Sequence, residues 1–338
     1  MWDKTGMFSL KGSFGCMFLI IVLVLAALGS TARADTELRM TYPGSPEGVW
    51  GRLSTGLAAD LKPDGVTIET FPEHVMGGSK WALDAVRNNI IDLAFIGGYL
   101  LAQDAKALNV LNLPMLATDL KQARAIVAEI GPELASEADK INLDILAYTW
   151  VVGTFISADQ CVVKPDDLRG AKVIDGPRFH QMLVESVGGV PLPLPFAEIF
   201  SAMQSGLSNT GLFTIPLILD GKLNETTDCI TDPSVAAIML IPVILVINKQ
   251  VFDTLSPENQ KSLKALATML EEKSASEIED LVAQAVKVYV EDGKSAQGIE
   301  GEALTAWRSA ADKLNETLAK EYGVGDLYQK ALKARDVP

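Results

Sequence analysis

His74 and His180 are the only histidines in the chain. A hydrolytic zinc would need H-E-x-x-H or a Cys/His cluster, and neither pattern occurs. The run Tyr42-Pro43-Gly44-Ser45-Pro46-Glu47-Gly48 offers a serine, but it lacks the G-x-S-x-G turn of a nucleophile elbow. Asp166-Asp167 would be an acid pair, yet they run straight into Leu168-Arg169-Gly170 and read as turn formers. Gly97-Gly98 follow a strand-like run, as phosphate-cradling glycines do. With no G-x-G-x-x-G and no Walker pattern, they read as a close backbone approach to a ligand or a plain turn. Glu271-Glu272-Lys273 reads as a solvated helix face. No nucleophile emerges with a base beside it, and no cofactor motif appears. The chain reads as non-enzymatic, with no cofactor.

Short strand-like runs alternate with helical stretches. Glu37–Tyr42 alternates polar and apolar residues and is stopped by Pro43-Gly44-Ser45-Pro46. Val49, Leu53, Leu57 and Leu61 mark one helix face. Val66–Phe71 and Ile91–Ile96 predict two more strands, with a helix from Gly78 between them. These strand–helix–strand units predict a parallel sheet with right-handed crossovers. Further on, Leu143–Tyr148 predicts a strand running up to Trp150, and Ala171–Ile174 another, feeding Gly176-Pro177. His180–Val187 and Phe196–Gln204 predict helices. Val243–Ile247 predicts a buried strand, with Pro242 just before it. Ser256-Pro257 is a strong helix start, serine as N-cap and proline at the first helical position. The helix beyond it runs from Gln260 to Val290, and a last helix is predicted over Ala303–Tyr322. No internal repeat is evident.

Residues 1–34 read as a cleaved secretory leader. Lys4 and Lys11 precede an apolar run from Phe18 to Leu28, and Ala32-Arg33-Ala34 is a small-x-small cleavage site. The run is too short for a membrane anchor, which needs roughly 20 residues, and Cys16 lies ahead of it, the wrong side for a lipoprotein. The chain carries a net charge of −14. The leader is positive, so the remainder is more acidic still. That balance argues against nucleic acid as a partner. Cys161 and Cys229 survive cleavage. In an oxidising compartment they either pair, closing a long loop worth roughly 4 kcal/mol, or stay as separate buried thiols.

Several segments occur in an order that resembles the DctP-type solute-binding proteins of TRAP (tripartite ATP-independent periplasmic) transporters. Phe71-Pro72-Glu73-His74-Val75-Met76-Gly77-Gly78 resembles that family's F-P-x-x-x-[LM]-G-G. Ala85–Ala94 resembles its A-V-x-x-G-x-[IVL]-D-[ML]-A, and Leu113-Pro114-Met115-Leu116 loosely its L-P-F-L-F. Lys164–Val173 and Pro191–Gly206 follow, then Val246-Ile247-Asn248-Lys249 through Gln260. The resemblance implies an α/β, two-domain periplasmic-binding-protein-like fold. A long helix would span both domains, with a ligand cleft between them that closes around solute. It implies domain I over 35–152 plus about 241–280, and domain II over 153–240 plus about 281–338. It also implies a periplasmic protein that hands a small-molecule solute to small and large membrane permease subunits. A ligand-sensing receptor is the alternative, and a secreted hydrolase the more distant one.

The departures bear on the ligand. Where the family has W-x-x-G-x-R, this chain has Trp150-Val151-Val152-Gly153-Thr154-Phe155. The family's second arginine aligns with Ile174, and its orienting amide with Phe213. A carboxylate buried against these residues would lose hydration without compensation, at a cost on the order of several kcal/mol. Resemblance places Trp50, Trp81, Gly97, Tyr99, Trp150, Phe155, Ile174, Phe196 and Phe213 along the cleft. Together they imply a pocket for an organic acid that is aromatic or less polar than a C4-dicarboxylate. Arg178 reads first as a solvent-facing arginine at a helix start. Its alternative role is an anion clamp replacing the lost arginine.

Overall fold

The computed structural model describes residues 36–336. The leader reading of residues 1–34 lies outside them. Ten strands form one sheet: β1 Thr36–Tyr42, β2 Val66–Pro72, β3 Leu93–Gly97, β4 Leu143–Ser157, β5 Lys172–Asp175, β6 Val190–Pro193, β7 Thr210–Thr214, β8 Cys229–Asp232, β9 Met239–Asn248 and β10 Ser295–Gly298. The order is β2-β1-β3-β9-β4-β7-β5-β6, with β8 pairing with β4 and with β10. The helices that matter here are α1 Val49–Leu61, α2 Gly78–Arg87, α3 Leu120–Asp139, α4 Arg178–Ser186, α5 Phe196–Gln204, α6 Pro257–Glu291, α7 Gly301–Glu321 and α8 Gly325–Arg335.

The sheet is mixed, which corrects the parallel sheet expected from the sequence. β1 with β3 and β7 with β5 are parallel pairs, as expected of crossover units. The middle is antiparallel: β3 to β9, β9 to β4 and β4 to β7. Two long strands cause this. β4 runs seven residues past Trp150, because Val151–Ser157 is buried on both faces and shows no polar alternation. β9 begins at Met239 and carries Pro242 inside it. That proline is tolerated because β3 pairs with β9 only from Val243 onward, so no ladder bond is lost on that side.

Helix α6 starts as the sequence predicts. Ser256 Oγ accepts from Asn259 N at 3.1 Å, and Pro257 opens the first turn. At about 1.5 Å per residue it is roughly 50 Å long. Leu263, Ala267, Leu270, Ile278, Val282, Ala285 and Tyr289 form its buried stripe. It packs on β4 and α1, and also on the short helix Ile215–Asp220 of the later chain. Asn248 fixes the end of β9: its Nδ2 donates to Val86 O at 2.9 Å, and its Oδ1 accepts from Gln250 N and Val251 N. The sequence did not predict α8, which follows Gly323 and packs on α3. Cys161 and Cys229 are joined in a disulfide, with Cα atoms 5.2 Å apart and a sequence separation of 68. Among the described residues no helix is long and apolar enough to cross a membrane.

Candidate functional site

β5 ends at Asp175, and Gly176-Pro177 turns the chain directly into α4. Arg178, Phe179 and His180 therefore occupy the first turn of α4, where backbone N–H groups lack intrahelical acceptors and the helix end is positive. Phe179 and His180 form one wall of a small chamber. Its other walls are Leu111–Ala117, Trp150 of β4, and Ile238 with Met239–Ile241 of β9. The chamber offers about 20 Å³ of free volume, room for about one water-sized group.

A wider mouth of about 310 Å³ adjoins it, sharing Asn112, Leu113 and Phe179 with the chamber. Tyr99, Arg178 and Tyr322 also line the mouth. That volume sits at the small end of the range for ligand pockets. An open groove beside Lys164, Arg169 and Lys313 is larger, about 1010 Å³. It is the weaker candidate, because the buried polar atoms without partners are not among its lining residues. Asn112 Oδ1 and His180 Nε2 are two such atoms, and both residues line the chamber.

The wall from 113 to 118 is pinned by α7. Asn315 Nδ2 donates to Pro114 O at 2.8 Å, and Arg308 donates to Thr118 Oγ1 at 3.0 Å. Met115 sits in that wall with φ of 49°, in the left-handed region that costs a non-glycine residue on the order of 1–2 kcal/mol. The Ala237 N–H donates to Thr118 O at 2.8 Å and ties the wall to the segment leading into β9.

The electrostatics follow from burial. His180 is held neutral, its pKa pushed down to about 3 by desolvation. Asp175 is buried with both carboxylate oxygens unpartnered. Desolvation first, then the nearby Glu185, push its pKa up to about 7, and Arg178 opposes them. Arg178 itself is exposed. It donates to Glu185 Oε1 at 2.8 Å, and the Glu185 hydrogen bond raises its pKa.

The structure gathers only some of the residues marked from sequence. Trp150 lines the chamber, and Tyr99 and Arg178 line the mouth. Gly97 lies beneath the Tyr99 ring, in the space a Cβ would fill. Trp50 instead packs on the core near α6 and donates from Nε1 to Thr149 Oγ1 at 3.1 Å. Trp81 covers Gly77 and packs against the core cluster that contains α3. Phe196 projects into solvent, 60% exposed, at the start of α5.

Phe155, Ile174 and Phe213 line neither the chamber nor the mouth. Ile156, Gly211 and Ile174 lie in register across β4, β7 and β5, so they share a face of the sheet. Phe213, two residues from Gly211, lies on that same face and covers the glycine. Phe155, next to Ile156 along the strand, points to the opposite face. All three are buried in the core.

Asn112, Phe179 and Tyr322 were not marked from sequence. Asn112 stands directly before Leu113-Pro114-Met115-Leu116, and that motif was the one available signal.

The family model described as bacterial extracellular solute-binding protein, family 7 (DctP), matches residues 59–321. The chain belongs to the DctP family. Among curated relatives, the 2,3-diketo-L-gulonate-binding periplasmic protein YiaO of Escherichia coli K12 is 24% identical over 290 residues, covering 84% of this chain and 86% of that protein. Among solved structures, a TRAP periplasmic solute-binding protein from Ochrobactrum anthropi, with its C-terminus bound in the ligand pocket, superposes with TM-score 0.82 at 19% identity. The match covers 89% of this chain and 96% of that one. A second, from Rhodoferax ferrireducens with bound malonate, gives TM-score 0.77 at 22% identity, covering 88% and 98%. As a DctP-family chain, this protein has the family and fold of periplasmic solute-binding proteins, which bind small molecules.

Proposed function

We propose that this DctP protein captures a small organic acid in the mouth bounded by Tyr99, Arg178, Phe179 and Tyr322, and passes it to the small and large TRAP permease subunits. The observation that carries this reading is Arg178, a cation on the mouth of a largely apolar cavity. A carboxylate there would replace Glu185 as the guanidinium's partner, with two forked contacts available to it. Phe179 and the two tyrosines would hold an apolar or aromatic body. The relatives support the acid: YiaO is a 2,3-diketo-L-gulonate binder, and the Rhodoferax protein holds malonate.

In this reading the protein binds and releases without catalysis. The leader is cleaved after Ala34 and the remainder works in the periplasm. The two lobes, 35–152 plus about 241–280 and 153–240 plus about 281–338, move apart on β4 and β9 to admit solute. Tighter ligand contact in the closed state would drive closure.

Thermal-shift screening against small dicarboxylates, aromatic acids and neutral aromatics tests the reading, since a ligand of the folded state raises the melting temperature. Stabilisation by acids that vanishes in Arg178→Ala supports it. Stabilisation by neutral aromatics alone, or by acids equally in Arg178→Ala, overturns it.

A further inference from the structure

Asn112 and His180 both line the chamber, and each has one buried side-chain atom without a partner, Oδ1 and Nε2. Asn112 is 8% exposed and His180 3%. A buried polar atom with nothing to bond costs about 1–3 kcal/mol, so each atom implies a missing group.

The orientation of the Asn112 amide is fixed by its own bond. Nδ2 donates to Leu108 O at 3.1 Å, and a carbonyl can only accept. Oδ1 is therefore the free end, and it requires a donor. His180 is a neutral imidazole whose free Nε2 can donate to an incoming oxygen. A hydroxyl serves both atoms at once, donating to the amide oxygen and accepting from the ring. A carboxylate cannot donate to Asn112 Oδ1. The size agrees: about 20 Å³ admits one small polar group and no ring.

We infer that Asn112 and His180 are specificity-determining residues that read one hydroxyl of the solute, inserted into the chamber beyond the mouth. The inference rests on the proposed capture site. It adds a second point of recognition at the end away from Arg178.

Calorimetric titration of the purified protein tests it. The panel is 3-hydroxypropanoate, 4-hydroxybutanoate and 5-hydroxypentanoate, each beside its O-methyl ether, its deoxy acid and the corresponding neutral diol. A site built around a hydrogen bond rejects the analogue that lacks it. At least one hydroxy acid should bind about tenfold or more tighter than its ether and its deoxy acid. That preference should disappear in His180→Leu and survive in part in His180→Gln, whose tip still donates. Thermal unfolding of both variants confirms that they are folded. Diols binding as tightly as the hydroxy acids, with the ethers and deoxy acids bound more weakly than both, would sink the Arg178 reading and leave the hydroxyl reading standing. Equal affinity for hydroxy acids and ethers, preference for deoxy acids, unchanged preference in His180→Leu, or no hydroxyl-dependent binding by any compound would overturn the inference.

Discussion

The ring of Phe155 stacks on the indole of Trp307, with centroids 5.7 Å apart and planes inclined by 28°. Trp307 in turn donates from Nε1 to Val163 O at 2.9 Å. Position 155 is therefore part of the join between β4 and α7. Phe155→Ala should destabilise the protein by about 3–5 kcal/mol, through lost burial and a cavity. Its solute affinity, measured while still folded, should stay within a few-fold of the parent. Phe155→Arg should cost more, because it buries an unpaired charge. Denaturant unfolding and calorimetry check both. Tight carboxylate binding gained in folded Phe155→Arg would contradict this placement.

If solute binds as proposed, Glu185 competes with it for Arg178. Their pair is exposed, and exposed pairs are worth about 0–1 kcal/mol. Glu185→Gln should therefore raise carboxylate affinity by at most about fivefold. Arg178→Ala, which removes a charge-assisted bond worth about 1.5–3 kcal/mol, should lower it by roughly tenfold or more. Dissociation constants from calorimetry give both ratios.

Asp175 and His180 bias stability in opposite directions as pH changes. The Asp175 pKa rises from 3.8 to about 7 on folding, so its penalty is absent at low pH. It grows as pH climbs through that window and is constant above it. The His180 pKa falls from 6.5 to about 3, so its contribution is intact above pH 6.5 and is lost as pH drops toward 3. In Asp175→Asn, stability should rise with pH up to about 6.5. In His180→Gln it should fall between about pH 4 and 7. Urea unfolding midpoints across pH 4 to 8 separate the two slopes.

The Cys161–Cys229 bridge closes a separation of 68 residues. Replacing both cysteines by serine should lower unfolding free energy by about 2–4 kcal/mol, with a similar loss on reducing the parent. Equal stability before and after reduction would show that the bridge adds nothing.

Local signals in the sequence located most elements. The α5 helix has the bounds its apolar stripe predicts, and Ser256-Pro257 marks the start of α6. Strand direction was less legible, because it depends on partners far away in sequence: β9 meets β4 and β3 across 86 to 154 residues. Of the residues the family order marked, Trp150 lines the chamber and Tyr99 the mouth, and Arg178, read first as solvent-facing, also lines the mouth. The aligned motif carries no pairing register, so it did not show that Phe155 points to the face opposite Ile174 and Phe213. Asn112 was invisible for a similar reason. It lies in a short 3-10 run over Lys106–Asn112, and its meaning comes from a bond to Leu108 and from sharing the chamber wall with His180.

The central claim is that solute sits between Tyr99 and the first turn of α4. The most direct measurement is a crystal structure with the tightest-binding acid from the thermal-shift panel. The account predicts its carboxylate within about 3 Å of the Arg178 guanidinium, a hydrogen-bond distance, with Phe179 and Tyr322 against its body. Density for the acid on the Ile174 and Phe213 face, with Arg178 still on Glu185, would contradict it.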